Sequence, residues 1–192
     1  GIVLTELGPK VDDRTIRMKI IDILVRIGEK AVPELKKLLA ASEWFIRRNG
    51  AMLLGEIKSP AAIEELARLI NDKEERVQLE VVEALIKIGV PAGRPYLNQA
   101  LNSKFRAVVV AAIKGADKTE AMKKLPELLG WIKIRKGIPD AKEEKFRQAV
   151  IEALEMVGDD AVIPVFNDIL GEKSLFKSDL LLPTKQAVLN TL

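Results

Sequence analysis

"AAIEELARLINDKEERVQLEVVEALIKIG", residues 61–89, holds two apolar faces separated by a polar turn. In its second half Val77, Val81, Ala84, Leu85 and Ile88 recur at i, i+4, i+7, i+8 and i+11. That spacing is one face of a helix, not the alternation of a strand. Gly89 stands just past it, where glycine takes a left-handed cap most easily. Leu66 and Ile70 mark the first half, and Asp72 lies in the turn, where it can cap the following helix or shape the loop. The unit is therefore helix, turn, helix.

The unit recurs along the chain. "AVPELKKLL" (31–39), "AIEELARLI" (62–70), "GRPYLNQAL" (93–101) and "KLPELLGWI" (124–132) align so that Leu35, Leu66, Leu97 and Leu128 fall 31 apart. Pro33, Pro95 and Pro126 share a column in the first helical turn, where the missing N–H is unneeded. A second family reads "IRMKIIDILVRIG" (16–28), "IRRNGAMLLGEIK" (46–58), "VQLEVVEALIKIG" (77–89), "FRAVVVAAIKGAD" (105–117) and "FRQAVIEALEMVG" (146–158), and "TKQAVLNTL" (184–192) begins a sixth. One such pair is too small to bury its own apolar faces, so the pairs must stack into an α-solenoid.

The pattern "VPELKKLL…WFIRRNGAMLLGEI…AAIEELARLINDKEERVQLEVVEALIKIG" resembles HEAT-like repeats of the short, phycobilin-lyase type. The resemblance implies an all-α solenoid of about five to six stacked helix-turn-helix repeats with a right-handed superhelical curve. It places Leu35, Leu66, Leu97, Leu128 and Phe166 on outer helices. The helices starting near Ile16, Ile46, Val77, Phe105 and Phe146 become inner ones. Residues 1–192 are expected to form a single repeat domain, a piece of a longer array. Its repeats are expected at 1–13 (partial), 14–42, 43–73, 74–103, 104–140, 141–182 and 183–192 (partial). Repeat four fits the inner-helix pattern best if the turn before "FRAVVV" is three residues shorter.

Composition narrows the chemistry. The chain has 192 residues, 31 basic and 28 acidic, and neither cysteine nor histidine. Disulfides, thiolate metal sites and the histidine-dependent forms of nucleophilic catalysis are excluded. A HEAT-repeat enzyme that holds iron through His-Glu pairs is not matched at the residues that matter. No cofactor or metal is expected. The net charge of +3 is small for a protein that grips a duplex. No apolar run is long enough to span a bilayer, so membrane insertion is not expected. Cysteine-free composition suits cytosol or periplasm, and a cytoplasmic location is the expectation.

Two sets of residues are candidate sites. Arg17, Arg47, Arg106, Arg147 and Lys185 follow the apolar marker of the inner helices, with Gln78 in the same column. They either track phosphates along a concave face or bond to turn carboxylates and carbonyls, a task for which the arginine fork is suited. Glu80, Glu83, Glu152 and Glu155 on the same helices favour the second account. The other set lies in two long turns. Leu39 to Ile46 and Ile70 to Val77 are seven residues, but Ile132 to Phe146 and Leu170 to Thr184 are fourteen. The added segments carry Lys133, Arg135, Lys136, Lys173 and Lys177 beside Ile134, Ile138, Leu175 and Phe176. Insertions in repeats often form the binding face. The alternative is an outer helix that runs on for two turns. Trp44 and Phe45 either anchor a partner or pack at a repeat joint. The acidic pairs Asp12–Asp13, Glu74–Glu75, Glu143–Glu144 and Asp159–Asp160 lie near helix starts, where the macrodipole favours them.

These readings point to a non-enzymatic scaffold or regulatory module that binds another protein or peptide. The alternative is a nucleic-acid-binding HEAT-like domain using the basic column.

Overall fold

The computed structural model describes residues 14–132, 141–158, 160 and 162–171, without the side chains of 14–18, 165 and 168–171. Within these the regular structure is entirely helical. The helices expected to be inner are α1 (Arg14–Ile27), α3 (Trp44–Ile57), α5 (Glu75–Ile88), α7 (Arg106–Ile113) and α10 (Ala141–Val157), and they keep that label below. Those expected to be outer are α2 (Val32–Leu38), α4 (Ile63–Ala67), α6 (Arg94–Ala100), α9 (Leu125–Ile132) and α11 (Val162–Gly171). A further short helix, α8 (Lys118–Met122), lies between α7 and α9. The chain divides into two compact units, Gly1–Gly115 and Ala116–Leu192.

The same local chemistry starts and stops each repeat. Pro33 and Pro95 sit in the first turns of α2 and α6, while Pro60 and Pro91 open 3-10 turns ahead of α4 and α6. Four of the five inner helices end on residues with positive φ: Gly28 at 63°, Lys58 at 58°, Gly89 at 69° and Gly158 at 57°; α7 instead ends at Lys114 with φ −62°. Lys58 is strained in this column relative to glycine, yet its backbone N–H still bonds back to Leu54 and Gly55 carbonyls.

The 31-residue column is the core. Leu35, Leu66, Leu97 and Leu128 are 1%, 0%, 4% and 0% exposed, and Phe166 is 0% exposed. Ile132 is fully buried too, while Trp131 is half-buried with its ring 5.8 Å from that of Phe146. On the inner side α3 and α5 approach closely because two small residues meet. A Cβ on Gly55 would lie 2.8 Å from both Cα and Cβ of Ala84. Gly55→Ala is therefore expected to destabilise by about 1–3 kcal/mol, although alanine suits a helix interior better by roughly 0.5–1 kcal/mol. Urea unfolding of the variant measures the balance.

Repeat four departs from its expected form twice. Glu43, Glu74 and Phe105 are the N-cap residues of α3, α5 and α7, so the 31-residue spacing holds without a shortened turn. Val108, not Phe105, thus occupies the column of Ile46 and Val77, and it is fully buried as Val77 is. The inner helix expected to run on through "IKGAD" stops at Ile113. At Gly115 the place of a Cβ is taken by Leu97 Cδ1 (2.6 Å) and Ile86 Cγ1 (2.9 Å).

Candidate functional site

The polar column of the inner helices is built into the turns. Arg47, at the start of α3, is 7% exposed. Its Nη1 donates to the carbonyl oxygens of Ala41 (2.9 Å) and Ser42 (2.7 Å) in its own turn. Nε and Nη2 donate to Asp72 Oδ2 (2.7 Å) and Oδ1 (3.0 Å) in the next turn, a bidentate fork. Asp72 Oδ1 also accepts the backbone N–H of Glu74 at 2.9 Å, which helps to start α5. Gln78 continues the ladder. Its Nε2 donates to the Asp72 carbonyl (2.6 Å), and its Oε1 accepts the hydroxyl of Ser103 (2.7 Å). Ser103 Oγ in turn accepts the N–H of Phe105 at 3.2 Å, at the start of α7. One chain of hydrogen bonds thus links three successive turns.

The electrostatics follow from this geometry. The Asp72 hydrogen bonds, opposed by burial and aided by the carboxylate charges around it, raise the Arg47 guanidinium above its ordinary value. Burial pushes the Asp72 carboxyl up, but the Arg47 fork, the Glu74 N–H and the Arg47 charge together leave it below the usual range.

The expected basic column is only partly a column. Arg47 and Arg147 are buried, and Arg147 Nη2 donates to the carbonyl of Ile132 at 3.0 Å. Glu144, also buried, lies 3.9 Å from Arg147. Arg106 does not belong with them. In the observed register it falls opposite Trp44 and Glu75, on an exposed position, and Val109 stands where Arg47 and Gln78 stand. The side chain of Arg17 and residue Lys185 lie outside the described residues. So does the whole candidate edge of Lys133, Ile134, Arg135, Lys136, Ile138, Lys173, Leu175, Phe176 and Lys177.

Trp44 and Phe45 are both half-buried and meet edge to face, with centroids 6.0 Å apart. The guanidinium of Arg76, from the next inner helix, lies 5.2 Å over the Trp44 ring. The pair therefore joins two repeats through a cation–π contact. Further pairs at nearly one-repeat separation are Lys36–Glu65 (3.1 Å), Lys87–Glu56 (2.7 Å), Arg48–Glu80 (3.4 Å) and Ser59 donating to Glu29 (2.8 Å). Burial, with Glu83 adding to it, raises the Glu80 carboxyl above its ordinary value despite Arg48. The sequence does not single out these inter-repeat bonds, although charge pairs 29–32 residues apart are visible there.

No curated protein matches the chain. A crystal structure of an engineered protein, a Northeast Structural Genomics Consortium target, is similar at 16% identity and a TM-score of 0.47, covering 98% of this chain and 96% of that one. Residues 38–116 match the family model of HEAT repeats.

Proposed function

We propose that this chain is a non-enzymatic scaffold that binds another protein or peptide, in the cytoplasm, along the edge formed by its two lengthened turns. HEAT repeats generally serve as interaction scaffolds, and residues 38–116 match their family model. The observation that carries the reading is the ladder from Ala41 to Phe105. It commits the polar positions of the repeat body, Arg47, Asp72 and Gln78, to holding successive turns together. Recognition then belongs to what the regular repeat does not need, the basic and apolar residues added at 133–138 and 173–177. Lysines and arginine there would speed encounter, and Ile134, Ile138, Leu175 and Phe176 would supply buried area. No described helix is long and apolar enough to cross a membrane. The nucleic-acid alternative rests on the column of Arg47, whose donors are already engaged, and nothing further favours it.

A photo-crosslinking amino acid placed at 134 or 176 in cells tests the proposal. Protein adducts are expected, and they should disappear when Lys133, Arg135, Lys136, Lys173 and Lys177 are all replaced by Glu. Adducts to nucleic acid in place of protein would overturn it. Protein adducts indifferent to the five substitutions would remove these residues from the site.

A further inference from the structure

The buried column that begins with Arg47 changes character once. Its members are Arg47, Gln78, Val109 and Arg147. Arg47 and Gln78 each bond to their own turn and to the next one. Val109 is 1% exposed, and its side chain has no polar atom with which to do either. Helix α7, which carries it, stops at Ile113, and the first compact unit ends two residues later, at Gly115. The bonding of the second unit is its own: Arg147 donates to the Ile132 carbonyl, and both residues lie beyond Ala116. The two units also differ in how fully their buried charge is bonded. In the first, Nε, Nη1 and Nη2 of Arg47 all donate. In the second, Arg147 Nε is buried with no hydrogen-bond partner among the described residues, and Nη1 lies 3.9 Å from Glu144, beyond hydrogen-bond length. The first unit has two such buried atoms, Arg48 Nε and Glu65 Oε2, but their side chains are 35% and 29% exposed, whereas that of Arg147 is 4% exposed. A guanidinium that is buried and only partly bonded costs stability.

We propose that the chain unfolds in two steps, the second unit opening while the first stays folded. In a stack of repeats, cooperativity passes only from neighbour to neighbour. A column that latches turn to turn through Arg47 and Gln78 and then offers Val109 drops one contribution to that coupling, in the repeat where the first unit ends. Regions of one chain then open at different free energies, and the unit with the less satisfied buried arginine opens first. The lengthened segments 133–138 and 173–177 both belong to that unit. A partner bound there, on the reading proposed above, would therefore stabilise the second unit alone. The two-step unfolding does not itself rest on that reading.

The chain has two tryptophans, and each unit holds one of them, Trp44 in the first and Trp131 in the second. Trp131→Phe leaves Trp44 as the fluorescent reporter of the first unit, and Trp44→Phe leaves Trp131 as that of the second. Urea unfolding of the two full-length variants should give a lower midpoint for Trp131 than for Trp44. Far-UV circular dichroism of the native chain should show both steps, so that neither substitution creates the separation. Leu154 is 0% exposed in the second unit. Leu154→Ala, placed in each single-tryptophan background, should lower the Trp131 midpoint by on the order of 1 M urea and leave that of Trp44 unchanged. If the substitution leaves the second unit unfolded without urea, Trp44 should still report a full cooperative transition. One transition shared by circular dichroism and both tryptophans would overturn the proposal. So would a Trp44 midpoint that falls together with that of Trp131 in Leu154→Ala, or a Trp44 that unfolds first.

Discussion

Arg47→Ala is expected to lower folding stability by about 3–5 kcal/mol at pH 7. The substitution removes four donated hydrogen bonds at once, two to turn carbonyls and two to Asp72. Its larger effect is on what stays behind. The Asp72 side chain is 6% exposed and would keep its charge with only the Glu74 N–H as a partner. A buried charge left alone costs more than the intact pair contributed. Arg47→Lys should recover only part of the loss, because an ammonium cannot reach two carbonyls and both carboxylate oxygens. The pH dependence separates this account from simple loss of packing. In the native chain the Asp72 carboxyl is held below its unfolded value of about 3.9. Its contribution is therefore present above that value and lost as pH falls through the folded pKa. In Arg47→Ala the Arg47 hydrogen bonds and charge no longer lower the Asp72 carboxyl and only weaker causes such as the Glu74 N–H oppose burial, so the stability gap between the two proteins should narrow in acid. Urea unfolding at pH 7 and pH 3 gives both gaps, and equal gaps would mean that the ion pair is not the cause.

What the sequence disclosed, and what it hid, follows from the range of the forces. The leucine column was legible because each repeat must bury the same outer-helix position, and the 31-residue spacing counts it directly. The cap glycines were legible because a left-handed residue is a local demand. The register at Phe105 is obscured because "FR" at 105–106 looks like "IR" at 46–47, whereas the 31-residue spacing puts Val108 in the column of Ile46 and Val77. The turn carried the better signal. Ser103 stands 31 residues after Asp72, and each accepts an N–H two residues on. Just past the end of α7, Leu97 Cδ1 and Ile86 Cγ1 fill the place that a Cβ on Gly115 would take, a tertiary contact that no window of sequence reveals. The fate of Arg47 was open for the same reason. A basic residue on an inner helix reads alike whether it faces phosphate or a carboxylate 25 positions away.

Leu66→Ala is expected to cost about 2–5 kcal/mol, and Leu97→Ala a comparable amount. Helix α4 has only five residues, too few to be stable alone, so it is held by what Leu66 and Ile63 bury. Leu66 lies between Leu35 and Leu97 in the column, with a repeat on either side to lose contact with. Leu97 offers a sharper test, because its Cδ1 fills the place where Gly115 would carry a Cβ. Truncating Leu97 opens a cavity next to a residue with no side chain. Gly115→Ala alone should destabilise, since a new methyl would meet Leu97 Cδ1 at 2.6 Å and Ile86 Cγ1 at 2.9 Å. In the Leu97→Ala background the same methyl enters the vacated space, with only Ile86 left to yield. The double variant should therefore be more stable than the sum of the two single losses requires, by about 0.5–3 kcal/mol. Strict additivity in urea unfolding would mean that the two side chains do not share that space. Costs below about 1 kcal/mol at both leucines would mean that the column does not face the core.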